Sequence, residues 1–186
     1  MIAKIITFVL IAVFGGLASS WYMVEHGSPL TTERNGPWVT WTTTGRSDAD
    51  PYTRAHFARR GMLPVSAVIG QTYEARTDSD GQALYSTCEY VIQGPEIEAP
   101  FWSLSVFDDK GNLIANPAER YGFNSATLMR TPGGNFGITL ARSARPGNWI
   151  PTGGGGRLAI QLVIEEPRIP DRDPPTLPEI RRVACR

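Results

Sequence analysis

Lysine is almost missing from this chain. Of its 18 basic residues only Lys4 and Lys110 are lysine, and 18 acidic residues balance the charge. A neutral chain has no broad basic field, which excludes nucleic acid as a partner. Histidine is limited to His26 and His56, and cysteine to Cys88 and Cys185. With no His-x-x-His and no Cys-x-x-Cys pair, neither a metal site nor a cofactor is expected. A serine hydrolase would need His56 as its base, and no Gly-x-Ser-x-Gly elbow is present to carry its nucleophile. Asp78-Ser79-Asp80-Gly81 opens like a calcium loop but lacks the third acid and the distant Glu, so it reads as a turn. The four glycines at 153–156 run into Arg157 without the Lys-Ser/Thr of a phosphate loop and read as a connection between strands. There is no internal repeat. No complete catalytic set remains.

What is present begins with one long apolar run. Residues 5–24 are apolar except for Thr7, Ser19, Ser20 and Tyr22. About 20 helical residues at 1.5 Å each match the hydrocarbon core of a bilayer. Lys4 and the amino terminus flank the run on one side and Glu25 on the other. Positive charge stays cytoplasmic, so the expected topology is a short inner-membrane anchor with the remainder in the periplasm. The competing reading is a cleaved signal peptide, for which Leu17-Ala18-Ser19-Ser20 offers small residues. The expected division is a cytoplasmic stub (1–4), an anchor (5–24), a membrane-proximal segment (25–45), a β-sandwich domain (46–166) and a Pro-rich tail (167–186).

The cysteines suit an oxidising compartment. Cys88 lies in a strand and Cys185 is next to last, so one disulfide is expected to tie the tail back to the body, the alternative being two free thiols.

The body reads as mainly β. Phe101 to Asp108 alternates, with Trp102, Leu104 and Val106 on an apolar face, and Asp109-Lys110-Gly111-Asn112 follows as a turn. Leu158, Ile160, Leu162 and Ile164 line one face of the last long strand. Further strands are expected at 65–76, 83–93, 113–115, 121–130 and 136–142, with turns at 77–81 and 131–135. About eight strands with frequent turns predict a jelly-roll-like β-sandwich. One short helix should cover it: Asp50 is an N-cap, Pro51 suits the first turn, and Gly61 ends it. Tyr52, Ala55 and Ala58 form its expected buried stripe. Trp38 and Trp41 read as packing residues.

Two further groupings carry chemistry. Glu74 and Glu89 lie on strands expected to pair across the 77–81 turn, so they could meet as a carboxylate pair of the kind that hydrolyses glycosides. Arg120, Tyr121, Arg142, Arg145, Asn148 and Trp149 gather arginine, aromatic and amide groups near strand ends. Arg forks suit carboxylate or phosphate, and Trp stacks on sugar faces, so Arg120, Tyr121, Arg142, Asn148 and Trp149 are the candidate ligand-binding residues. The structural alternative pairs Arg120 and Arg142 with Asp108 or Asp109 and uses Trp149 to close the sandwich end.

Several ordered blocks carry a family resemblance. They are Asn35-Gly36-Pro37-Trp38, Asp50-Pro51-Tyr52 with Ala55-His56 and Gly61, Leu63-Pro64, and Phe101-Trp102-Ser103-Leu104 with Phe107-Asp108 and Gly111. Asn116-Pro117 with Arg120-Tyr121 and Asn148-Trp149-Ile150-Pro151 complete them. From Thr31 to Arg186 the chain resembles the bacterial domain-of-unknown-function 1214 family, in the manner of its short, singly anchored envelope members. The resemblance implies a jelly-roll β-sandwich and transfers no catalytic residue. Larger members carry a second domain ahead of this one, and none is expected here. The leading functional expectation is a non-enzymatic envelope module binding a glycan, a lipid or a protein. An envelope hydrolase acting on a glycan or ester, and an accessory subunit of a membrane complex, are the alternatives.

Overall fold

The structure, a computed structural model, describes residues 1–66, 69–154, 156–165 and 175–185. The chain divides into two units, Met1–Glu33 with Trp41–Ser66 and Arg34–Thr40 with Ala67–Arg186.

The first unit is built on helices. α1 (Ile2–His26) buries none of its residues. It is long and apolar enough to cross a membrane by length and composition, as an anchor or a signal sequence would be. α2 (Pro51–Arg60) starts where local chemistry places it. Asp50 accepts hydrogen bonds from the Tyr52 and Thr53 amides at 2.9 and 3.0 Å, Pro51 fills the first turn, and Gly61 ends the helix at φ 64°. The expected stripe of Tyr52, Ala55 and Ala58 is not the buried one. Thr53 and His56 face inward instead, and Ala58 is exposed. The neighbours of α2 here are polar and aromatic. Thr43 donates to Asp50 at 3.0 Å, the His56 ring lies 4.2 Å from that of Trp41, and His56 Nδ1 sits 2.8 Å from the Val24 carbonyl. A helix docked on such a surface selects hydrogen-bonding side chains over a methyl stripe.

The second unit is mainly β. In chain order the strands are β1 (Thr32–Asn35) and β2 (Trp38–Trp41), each of which straddles the division between the units, then β3 (Gly70–Ala75), β4 (Cys88–Gly94), β5 (Phe101–Asp108) and β6 (Gly122–Asn124). β7 (Phe136–Ala141), β8 (Asn148–Pro151), β9 (Leu158–Glu165) and β10 (Glu179–Cys185) follow. One sheet has the order β1-β2-β3-β9-β5-β6 and the other β10-β4-β7-β8. Their inner faces share one core. Trp102, Leu104 and Val106 of β5 and Leu158, Ile160, Leu162 and Ile164 of β9 are buried against Tyr90, Ile92, Ile138, Leu140, Ile150 and Ile180. Trp102 meets Phe136 across the two sheets with ring centroids 5.1 Å apart. Each such aliphatic side chain stabilises the fold by about 1.5–3 kcal/mol when fully buried. The apolar faces expected for β5 and β9 are therefore the ones that pack, in a β-sandwich.

Three strand expectations need correction. β3 and β4 do not pair. The Thr77–Ala83 bridge begins a hairpin, but β3 then lies between β2 and β9 while β4 lies between β10 and β7 in the other sheet. Burying two apolar faces requires the chain to change sheets here, and a turn signal alone cannot encode that. Residues 148–151, where no strand was expected, form β8, parallel to β7 with Trp149 opposite Thr139. Residues 179–185, expected as tail, form β10, antiparallel to β4 from Glu179 opposite Gln93 to Cys185 opposite Cys88. Of the rest of the expected tail, residues 167–174 and 186 lie outside the described residues. The disulfide joins Cys88 to Cys185.

A second tie has a pH consequence. Glu96 accepts from Trp102 Nε1 at 3.3 Å and pairs with Arg130 through both of its oxygens, which fastens the loop after β4 to the core tryptophan. The Arg130 guanidinium holds the Glu96 carboxyl below its ordinary range. A carboxyl depressed in the folded state adds stability above its unfolded pKa of about 4.3 and loses it as pH falls through the folded value. Glu96→Gln should therefore flatten the loss of stability below about pH 4.3, which urea midpoints measured between neutral and acid pH will show.

Candidate functional site

β6 and β8 place the aromatic and arginine groups. Gly122 lies against β5 so closely that a Cβ would collide with the Leu104 carbonyl and the Ser105 hydroxyl. A larger residue there would push β6, and Arg120 and Phe123 with it, off the sheet. The loop before it is held by Asn116, whose amide donates to Ile114 and Arg120 carbonyls at 3.0 Å and whose Oδ1 accepts from the Arg120 amide. This leaves the Arg120 side chain exposed. Its guanidinium donates to the Trp149 carbonyl at 3.2 Å and lies 5.7 Å from the Phe123 ring and 5.9 Å from the Trp149 ring. Trp149 is half-buried and its Nε1 donates to the Ala141 carbonyl at 2.9 Å. The ring is thus fixed on a backbone acceptor with its outer part toward solvent.

The other candidates divide by role. Asn148 is buried and its amide is committed: Oδ1 accepts from the Met129 amide, and Nδ2 donates to the Met129 and Gly137 carbonyls at 2.8 and 3.0 Å. It holds β8 to its neighbours, which orients Trp149 next to it. Tyr121 is half-buried and its carbonyl accepts from the Val106 amide. Arg142 is exposed and lines a shallow depression of about 60 Å³ with Glu89, Ser143 and Arg145 over the disulfide. There Arg145 forms a two-pronged pair with Glu89 at 2.9 and 2.7 Å, and Glu89 raises the Arg145 pKa. Ala141 links the two places, since its carbonyl takes Trp149 Nε1 and the residue also lines the depression. Sequence reasoning missed Phe123. Its place beside Arg120 follows from the β5–β6 register, Leu104 opposite Phe123, and not from any motif.

The expected structural partners of the arginines are not the observed ones. Asp108 is occupied by its own turn, accepting from the Asn112 and Lys110 amides at 2.8 and 2.9 Å, and the hydrogen bonds from Asn112 above all hold its carboxyl below the ordinary range. The carboxylate pair of Glu74 and Glu89 is also not formed. Glu74 stands on β3 and pairs with Arg76, while Glu89 stands on β4 in the other sheet and pairs with Arg145. Glycoside hydrolysis by that pair is thereby removed. His56 is a buried packing residue of the first unit. Among the described residues no cluster of His, Cys, Asp and Glu is placed to hold a metal ion.

Residues 70–168, more than half of the chain, match the protein family of unknown function DUF1214. The chain belongs to the DUF1214 family. The match covers β3 to β9 and so spans both sheets, a shorter stretch than the sequence blocks between Thr31 and Arg186. Among solved structures, the chain is similar to the VPA0106 protein from Vibrio parahaemolyticus, with a TM-score of 0.59 and 18% identity over 74% of this chain and 36% of that one. It also matches an uncharacterized protein from Burkholderia cenocepacia, with a TM-score of 0.46 and 20% identity over 63% of this chain and 30% of that one. The chain therefore spans about a third of the length of each. At these identities the first likeness concerns the fold alone. A search of curated proteins finds no match.

Proposed function

We propose that this DUF1214 chain is a membrane-anchored binding module of the cell envelope, with its β body on the periplasmic side of the inner membrane. In this reading it is not an enzyme. It holds a partner on the surface formed by Arg120, Phe123 and Trp149. One observation carries the proposal. A tryptophan fixed by its own Nε1 bond to the Ala141 carbonyl stands half-exposed on β8, with an exposed guanidinium within 6 Å of its ring. A rigid aromatic face beside a planar cation suits a sugar ring bearing a carboxylate or phosphate. Arg142, near the disulfide, adds a second exposed cation next to Ala141. An acidic envelope glycan is thus the ligand class that fits best, ahead of a lipid or a protein partner. The anchor supports the location: α1 has the length and apolar character to cross a bilayer, and a disulfide suits an oxidising compartment.

The test uses the full chain in detergent, screened by thermal shift against acidic and neutral envelope glycans and against phospholipids. A ligand that binds only the folded form at 100 times its Kd stabilises by about 2.7 kcal/mol. The expected outcome is a rise in Tm with an acidic glycan that Trp149→Ala and Arg120→Ala each abolish, while both variants keep the unliganded Tm within a few degrees. A rise that survives both substitutions would place the ligand elsewhere on the protein.

A further inference from the structure

The first unit holds an unexplained exposure. Leu63 is 89% exposed and Val65 47% exposed in the short segment that follows α2. A large apolar side chain so fully in water contributes nothing to its own unit, and the segment is too short to be a strand or a helix.

The packing of α2 on α1 shows where that segment goes. His56 reaches the Val24 carbonyl at 2.8 Å, and the Arg59 guanidinium lies 3.7 Å from the centroid of the Trp21 ring. Arg59 and Arg60 both approach Glu25 at 3.7 Å. The His56–Val24 and Arg59–Trp21 contacts take higher numbers on α2 to lower numbers on α1, so the two helices run antiparallel there, and the long Arg59 and Arg60 side chains reach back along α1 to Glu25. α1 leads out of the apolar run at Val24, and α2 leads back toward it. At Arg59 it has already returned to the level of Trp21, and Trp21 and Tyr22 are aromatics of the type that sit at the headgroup layer. Residues 62–65 leave α2 from this end.

We infer that residues 62–65 enter the interfacial layer of the lipid bilayer beside α1, with Arg59 and Arg60 above them at the level of the lipid phosphates. The protein then holds the membrane at two points, the spanning helix and an apolar loop. Leu63 and Val65 supply the buried area, and long arginine side chains keep their charged ends among the headgroups while their stems stay apolar. The occupant is lipid because the loop is tied to the exit of a helix that is exposed along residues 2–22 and long and apolar enough to cross a bilayer. This inference rests on reading α1 as an uncleaved anchor, and the experiment separates the two.

Single cysteines are introduced at Leu63 or Pro64, and in a separate variant at Val13 in the middle of α1, each labelled with an environment-sensitive fluorophore in the full chain with the native disulfide verified by intact mass. The chains are reconstituted in phosphatidylcholine–phosphatidylglycerol vesicles containing lipid-borne quenchers at shallow and deep positions. The expected result is quenching of the Val13 label by the deep quencher and of the Leu63 and Pro64 labels by the shallow one, with a blue shift of all three. Quenching at Val13 with water-like, unquenched emission at 63 and 64 overturns the loop inference and leaves the anchor standing. A blue shift at 63 and 64 without lipid quenching means that protein covers the loop, and overturns it too. Absence of quenching at all three positions removes the anchor itself and the inference with it.

Discussion

Reduction of the Cys88–Cys185 disulfide should lower the stability of this protein by about 2–5 kcal/mol. The bond closes a loop of 97 residues. Chain-entropy reasoning gives about 4.7 kcal/mol for a 100-residue loop, and structure retained in the unfolded chain brings the measured figure below that. What the bond protects is β10, an edge strand of the four-stranded sheet whose Ile180 is fully buried in the core. An edge strand is paired along one side only, and detaching β10 would expose both Ile180 and the open edge of β4. The measurement is the urea midpoint of the full chain with and without reductant, beside Cys88→Ala/Cys185→Ala. Both perturbations should lower the midpoint by the same amount. Faster hydrogen exchange at the Arg181 amide would show that β10 frays first. An unchanged midpoint after verified reduction would mean that β10 is held by its ladder and core contacts alone.

Asp78→Ala should cost about 3 kcal/mol, near the lower end of the range for breaking a buried ion pair. Asp78 is buried, and its carboxylate lies 3.0 Å from Arg182 and accepts from the Gln82 amide at 2.8 Å. Removing it leaves the Arg182 guanidinium without its counter-charge and the Gln82 amide without its acceptor. A quarter of the Arg182 side chain remains in contact with water, which places the cost at the low end of that range. The pair matters to the fold because it joins the turn after β3 to β10. Around it Ser79 and Ile180 exchange two hydrogen bonds, and Arg182 also donates to the Gln82 side chain and the Ala83 carbonyl. Urea denaturation of Asp78→Ala, Arg182→Ala and the double variant gives the coupling directly. A single-variant cost under about 1 kcal/mol would put the pair in the class of surface ion pairs.

The two effects act on the same strand, and the covalent and ionic ties are not interchangeable. The disulfide sits at the last residue of β10, opposite the first residue of β4, while Asp78 holds the middle of the strand from a turn of the other sheet's β3. Reduction should leave the Asp78 end attached. Asp78→Ala should leave the covalent end attached.

Local chemistry in the sequence was enough for the long apolar helix, the Asp50 and Gly61 boundaries of α2, the extent of β5, the buried faces of β5 and β9, and the pairing of the two cysteines. Each depends on near neighbours in the chain or, for the cysteines, on there being just one possible pair. The family could likewise be read from short ordered blocks. The arrangement of strands was decided elsewhere. Glu74 and Glu89 flank a real turn yet end in different sheets, because β3 packs between β2 and β9 while β4 packs between β10 and β7. β8 has four residues, and β10 carries three charged residues in seven, so neither has a strand signal of its own. They exist because β7 and β4 offer open edges to them. The site shows the same division. The sequence put arginine, tryptophan and asparagine near one another, but only packing decided that Asn148 is spent on backbone groups while Arg120, Phe123 and Trp149 come together at the surface. Side-chain type sets what a residue can do, and the hydrogen bonds left over after the fold is satisfied set what it is free to do.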